Sequence, residues 1–348
     1  MSDRPPGKER SIFERKDEHL TFAARPEATH RLGSGIERYR IRHRALPGRD
    51  LADVDLTTMF LGHSLRAPLL VSSMTGGTAN ARTVNERLAR AATEAGLAMA
   101  LGSGRAALAD EGVVNTFRVE PRPPLLLANL GAVQLRRGLT PADAERLVDL
   151  LGTDGLILHL NAIQEAIQPG GDTLFGGLGE LIAAVVERLK PRPVIAKEVG
   201  FGLSPEDVRI LLEAGVAAID VAGAGGTNWA NVEGMRDARA GQVAAAFADW
   251  GWPTEVSIRA ARAVAPPSVP LIASGGIRDG VDSAIALALG ATVVGLARPM
   301  LLAALDDRAT EVAGVLVEQL QIATWAAGVA RPSDLTEAHV WEPASRQP

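Results

Sequence analysis

The stretch HLNAIQEAIQPGGD, His159 to Asp172, follows directly on the apolar run 155–158 (GLIL). It sets an imidazole, two amides and a carboxylate within seven residues at the mouth of a buried strand. Strand geometry puts His159 and Asn161 on one side, with Gln164, Glu165 and Gln168 in the loop beyond. One carboxylate among amides is too poor for a dedicated zinc or calcium site. It suits Mg2+, which keeps most of its waters and takes one protein carboxylate plus substrate phosphates. Spacing alone favours the plainer reading of Glu165 as a solvated loop charge.

Other residues with chemical potential recur along the chain. Lys197 lies inside the apolar run VIAKE, beside Glu198. Alternation sends the two to opposite faces. A buried ammonium needs a bound anion, an electron-rich ring or an internal carboxylate as partner. Asn129 ends LLLAN, where an amide can meet the edge of a planar heterocycle or cap a turn. SSMTGG surrounds Met74 with hydroxyls and flexible backbone, and AGAGGTNW offers Thr227 and a backbone able to cradle phosphate. Ser274-Gly275-Gly276 and Gly295-Leu296-Ala297-Arg298 close two further apolar runs. Glycine lets the backbone approach an anion without a Cβ in the way. Together these outline a site for a large planar ligand ending in phosphate, for which FMN is the natural candidate. Near the N-terminus RKDEHL clusters Arg15, Lys16 and His19. It is either a solvated charge run or an arm that brings cations to a diphosphate, as Arg105 after the second run could.

These residues need elements to hold them. After residue 65 a short apolar run, a Gly or polar cluster and a helix-like stretch repeat eight times. The runs are 68–74, 97–102, 125–129, 156–160, 194–198, 217–222, 271–274 and 292–296. Near-continuous apolarity without alternation fits parallel strands buried on both faces. The stretches between them, such as TVNERLARAATEAG, have helical spacing. Ser204-Pro205 reads as a helix start and Gly215 as its end. Eight such units predict a (β/α)8 TIM barrel over 66–330, with an N-terminal extension (1–65) of irregular or extended pieces covering the mouth and a tail (331–348). The long connection between the sixth and seventh runs predicts a loop plus an extra helix over the mouth. A polar or glycine cluster follows each of the eight strands, so the barrel gathers these on one face, where active sites sit.

Composition sets the outer bounds. The 348 residues carry 36 Lys and Arg against 41 Asp and Glu, a net charge of −5 that argues against a general nucleic-acid binder. The absence of cysteine excludes disulfides, thiolate metal sites and a cysteine nucleophile. No signal-like N-terminus and no uninterrupted membrane-length apolar stretch is present, so a cytoplasmic protein is expected.

In order along almost the whole chain, RKDEHL, SSMTGGT, LGSGRAAL, ANLGA, HLNAIQEAIQ, IAKEVGFGLS, VAGAGGTNWA, ASGGIRDG and GLARPML resemble type 2 isopentenyl-diphosphate delta-isomerases, above all the forms from the Thermus and Deinococcus group. The resemblance implies interconversion of isopentenyl and dimethylallyl diphosphate by proton transfer via reduced FMN, with Mg2+, NADPH as reductant and a homotetramer or homo-octamer. By position it implies that Ser73, Met74, Thr75, Ser103, Asn129, Lys197 and Thr227 hold the flavin. Gly275, Gly276, Ala297 and Arg298 would hold its phosphate. Arg15, Lys16, Arg105, His159 and Asn161 would meet the substrate, Gln164 the alkene as the catalytic residue, and Glu165 the Mg2+. Three positions depart from the pattern: Gly104 where many members have Gln, Gly170 where many have Glu, and Ala222 where many have Ser. The competing reading is an FMN-dependent oxidoreductase of the 2-hydroxy-acid oxidase type. It wants a His base and an Arg clamp in the strand-six loop, and residues 223–227 (GAGGT) carry no His.

Overall fold

The computed structural model describes residues 12–343, with side chains from Lys16 onward. Eight parallel strands close into a barrel: β1 (Leu69–Val71), β2 (Ala98–Ala100), β3 (Leu125–Gly131), β4 (Gly155–Leu160), β5 (Val194–Glu198), β6 (Ala218–Asp220), β7 (Leu271–Ser274) and β8 (Val293–Leu296). Neighbours follow chain order, and β8 closes on β1 with Val294 opposite Leu69. The (β/α)8 expectation holds, and each expected run contains a strand.

The runs are apolar throughout because both faces are buried. Leu69, Leu156, Val194 and Leu271 pack outward with the surrounding helices. Leu70, Ile157, Ile195, Ile272 and Val293 fill the interior. A hairpin, Thr58–Phe60 against His63–Leu65, sends Phe60 and Leu65 into that interior core. Burying each such side chain contributes about 1.5–3 kcal/mol. Helix starts follow their sequence signals. Thr78 accepts from the Ala81 N–H, and Ser204 and Asp207 form a capping box ahead of Pro205–Glu213. Gly215 follows that helix with φ +79°, a conformation glycine adopts without strain.

Three local expectations are corrected. The arm is not merely irregular, because Ile12–Ala23 is a helix. Gln164 and Glu165 lie not in a loop but on a short helix, Ala162–Ile167, since AIQEA is made of good helix formers. The β6–β7 connection carries two extra short helices, Trp229–Gly234 and Ala238–Ala244. No helix among the described residues is long and apolar enough to cross a membrane.

The segment after the arm helix is tied to the barrel by Glu255, which is 4% exposed. Its carboxylate accepts from the Tyr39 hydroxyl at 2.8 Å and from Arg38 at 2.6 Å. Arg40–Ile41 then pairs antiparallel with Val340–Trp341. Replacing Tyr39 with Phe removes a hydrogen bond to a charged, buried acceptor. Tyr39→Phe is expected to cost about 2 kcal/mol, read as a lower urea midpoint at unchanged slope.

Candidate active site

A strand repeats its facing every two residues. Two positions beyond the interior residues Leu70, Leu127, Ile157, Ile195, Ala218, Ile272 and Val293 stand Ser72, Asn129, His159, Lys197, Asp220, Ser274 and Gly295. This polar layer sits at the C-terminal ends of the strands, under a cavity of ≈710 Å³, a size typical of small-molecule sites. Ser73, Met74, Thr75, Ser103, Arg105, Asn161, Gln164, Glu165, Thr227, Gly275, Gly276, Ala297 and Arg298 line the same cavity, as do Asn129, His159, Lys197 and Lys16. Arg15 falls on the N-terminal helix, but its side chain lies outside the described residues.

Within the layer Asn129 is a fixed relay. Its Nδ2 donates to Ser73 Oγ at 2.9 Å, so its Oδ1 accepts from His159 Nδ1–H at 2.7 Å. His159 Nε2 is thereby left as an acceptor. Burial, with Lys197 alongside, pushes the imidazole down to about 4, so it is neutral at ordinary pH. Lys197 Nζ donates to the Glu198 carbonyl at 2.7 Å and stands 3.8 Å from Asp220 Oδ2. Of the partners foreseen for a buried ammonium, the internal carboxylate is present, and on its other side Lys197 lines the open cavity. Glu198 points the other way, as alternation requires. Its Oε2 accepts from the backbone N–H groups of Val199, Gly200 and Phe201, while burial pushes the carboxyl up to about 7.

The opening stretch builds the opposite wall. Asn161 Nδ2 donates to Gln164 Oε1 at 3.1 Å and Glu165 Oε1 at 3.0 Å. Gln164 Nε2 donates to Glu233 Oε1 at 3.0 Å. Glu165 Oε2 accepts the Asp172 N–H at 2.7 Å. The Asp172 carboxylate takes Gln134 at 3.0 Å and Arg137 at 2.7 Å, with Arg105 at 3.7 Å. Glu165 is thus held inside the protein rather than being a solvated charge. Glu233 is fully buried, with His19 Nε2 at 2.9 Å and Arg236 against its other oxygen. Burial pushes its carboxyl up, but His19, Gln164 and Arg236 outweigh this and leave it below the usual range.

From Lys16 to His19 the charge run of the arm makes contacts with the rest of the chain. Lys16 Nζ donates to the Ser103 carbonyl at 2.8 Å and lies over the Phe117 ring. Its burial brings the ammonium down to about 8. Asp17 accepts from Thr78 Oγ1 at 2.7 Å, and Arg236 donates to Glu18 at 3.0 Å. Together with His19 on Glu233, these fasten the helix across the mouth.

At the far end, Gly275 (φ +101°) and Gly276 (φ +73°) turn the backbone after β7. A Cβ on Gly276 would fall 2.7 Å from the Gly225 carbonyl. Arg278 is committed to Asp282 through two hydrogen bonds, and Asp279 caps the helix that follows. The cation available beside these glycines is Arg298, which donates to the Ala24 carbonyl at 2.9 Å while its buried Nε has no protein partner. Of the three departures, Gly104 faces the end of the Leu147 side chain, whose Cδ1 would lie 2.6 Å from a Cβ and would have to shift to admit one. Gly170 holds φ +72° in open space, a turn glycine favours over Glu. Ala222 sits at φ +37° and donates its N–H to Asp220 Oδ1 at 3.2 Å. Nothing in the structure explains why it is not Ser.

Comparisons agree with this geometry. A profile described as FMN-dependent dehydrogenase matches residues 14–114 and 180–342. A protein named isopentenyl-diphosphate delta-isomerase from Synechococcus sp. is 52% identical over 329 residues, covering 91% of each chain. One of the same name from Stutzerimonas stutzeri is 48% identical over 338 residues, 95% of this chain and 97% of its own. The chain belongs to the isopentenyl-diphosphate delta-isomerase family. Solved structures resemble it in fold alone. A doubly substituted flavocytochrome b2 with sulfite bound has TM-score 0.68 at 19% identity, covering 95% of this chain and 84% of its own. A mandelate oxidase variant has TM-score 0.60 at 20% identity, covering 90% and 89%.

In this member of the family, sequence reasoning passed over Asp220 and Glu233. Asp220 had a signal, a charge inside an apolar run like that of Lys197. Glu233 had none, since it lies on an extra helix far from Gln164 in sequence. The lowered imidazole gives a test with a definite sign. The unfolded chain takes up the His159 proton near 6.5 and the folded chain only near 4. Stability from this group is therefore lost as pH falls through that window. The His159 Cε1–H resonance is expected to titrate near 4, and the wild-type minus His159→Asn stability difference to shrink from pH 6.5 downward.

Proposed function

We propose that the protein interconverts isopentenyl diphosphate and dimethylallyl diphosphate, with FMN as resident cofactor, NADPH as its reductant and Mg2+ on the diphosphate. One observation carries the reading: the cavity is lined by fixed amides, Asn161 and Gln164, and a neutral imidazole, His159, while the buried Glu233 carboxylate behind Gln164 fixes that amide in place. The protein supplies positioning, and proton transfer falls to the cofactor. The activity named for relatives at 43–52% identity supports the same reading.

The cavity residues fit FMN. Arg298 Nε and Ser72 Oγ are buried polar atoms without protein partners, on residues that line the cavity. Ser73, Met74, Thr75, Ser103, Asn129, Lys197 and Thr227 would hold the ring and its side chain. Gly275, Gly276, Ala297 and Arg298 would take the phosphate, close to the start of the helix Arg298–Leu305. Reduced FMN, held by these residues, would supply the proton donor and acceptor without net redox change. Lys16, Arg105, His159 and Asn161, with Arg15, would hold the diphosphate. Gln164, pinned at both ends of its amide, would set the alkene in place. Glu165 would ligate Mg2+, since each oxygen has taken one hydrogen bond and keeps a second lone pair. Diphosphate and water would complete the shell. A cytosolic homotetramer or homo-octamer belongs to the same proposal.

An anaerobic assay of the purified protein with isopentenyl diphosphate, Mg2+ and FMN, with and without NADPH, tests this. Product is expected only under reducing conditions, and NADPH consumed in proportion to product would overturn the reading. Bleaching of oxidised FMN by a 2-hydroxy acid would favour the oxidoreductase alternative. With reduced FMN supplied, Gln164→Ala is expected to lower kcat on the order of 100-fold, and an unchanged rate would remove Gln164 from the chemistry.

A further inference from the structure

Asp220 is a carboxylate with no exposed surface, inside an apolar strand, and none of the roles above uses it. Its Oδ1 accepts from Ser274 Oγ at 2.7 Å and from the Ala222 N–H at 3.2 Å. Its Oδ2 has no hydrogen-bond partner and lies 3.8 Å from Lys197 Nζ, its register neighbour on β5. Other titratable groups face Lys197 without answering its charge. His159 on β4 is neutral, and the Glu198 carboxylate is turned to the backbone of Val199, Gly200 and Phe201. A buried carboxylate standing alone costs several kcal/mol; burial holds the Asp220 carboxyl above its usual range, and Lys197 is foremost among the groups that draw it back down. Lys197 in turn faces the cavity. Carboxylate, ammonium and cavity are therefore arranged in sequence, with the ammonium between.

We propose that Asp220 is a positioning residue, the buried counter-ion that holds Lys197 against the cavity and cancels most of the positive charge a bound flavin ring meets there. The second half rests on the FMN reading; the first does not. Infrared spectra of the FMN-free protein at neutral pH test the first half. Lys197→Met is expected to gain a protonated-carboxyl band that the Lys197→Met/Asp220→Asn double variant lacks, over and above the band of Glu198, whose carboxyl lies near 7 and contributes to all three chains. If Asp220→Asn chains do not fold, aspartate-selective carbon-13 labelling assigns the band instead. A protonated band already present in wild type and assigned to Asp220, or no band assigned to Asp220 in Lys197→Met, overturns the proposal.

Dye-coupled potentials of bound FMN test the second half. Asp220→Asn is expected to favour reduced over oxidised FMN at least tenfold more than wild type does, about 30 mV for a two-electron couple. In the Lys197→Met background the same substitution is expected to shift the ratio less than threefold. No shift in the otherwise native chain, or equal shifts in both backgrounds, overturns action through Lys197. Wild type that binds no FMN defeats the FMN reading and leaves the infrared result standing.

Discussion

The site depends on one constraint, the two-residue repeat of strands closed into a ring. Leu70, Leu127, Ile157, Ile195, Ala218, Ile272 and Val293 form an apolar layer across the barrel. The next inward positions, two residues on, are the polar ones. The lower layer does more than hold the strands together, because it excludes water from beneath the upper one. Electrostatic interactions are stronger there, and unpaired polar groups cost more. This is why Lys197 has Asp220, why Asn129 bridges Ser73 and His159, and why the imidazole stays neutral.

A second layer is built by chain brought from far away in sequence. The arm helix and the extra helices after β6 meet over the mouth, joined at Glu233, which touches His19, Gln164 and Arg236. A fully buried carboxylate with three such partners fixes geometry more than it adds stability. Its consequence for the site is an amide, Gln164, whose two ends are both spoken for. Its orientation is set before any ligand enters, which is what a positioning group requires.

The fold itself carries little of the function. Flavocytochrome b2 and mandelate oxidase share the barrel at about a fifth of positions identical, and chemistry on such a scaffold is decided by the strand-end residues. In this chain the loop after β6 is glycine-rich and packs backbone to backbone with the loop after β7, where Gly226 and Gly276 approach too closely for a Cβ. That packing brings the glycines of both loops to the cavity wall, which Arg298 also lines.

The sequence by itself determined the eight strands, their order and the end at which polar residues gather. Those follow from local hydrophobic runs and from the closure of parallel strands. It also identified much of the cavity lining, because most of those residues lie at or just after a strand end. The motif resemblance supplied the roles. What only the tertiary structure decided was pairing between distant elements. Glu165 is indistinguishable in sequence from a solvated charge, and becomes an internal group only when Asn161 and the Asp172 backbone enclose it. The run from Lys16 to His19 looks solvent-facing until Ser103, Thr78, Arg236 and Glu233 arrive from other parts of the chain. Asp220 reads as an oddity in an apolar strand until β5 places Lys197 beside it. Strand identity is encoded over a few residues, but the partner of a buried charge is fixed by closure of the whole barrel.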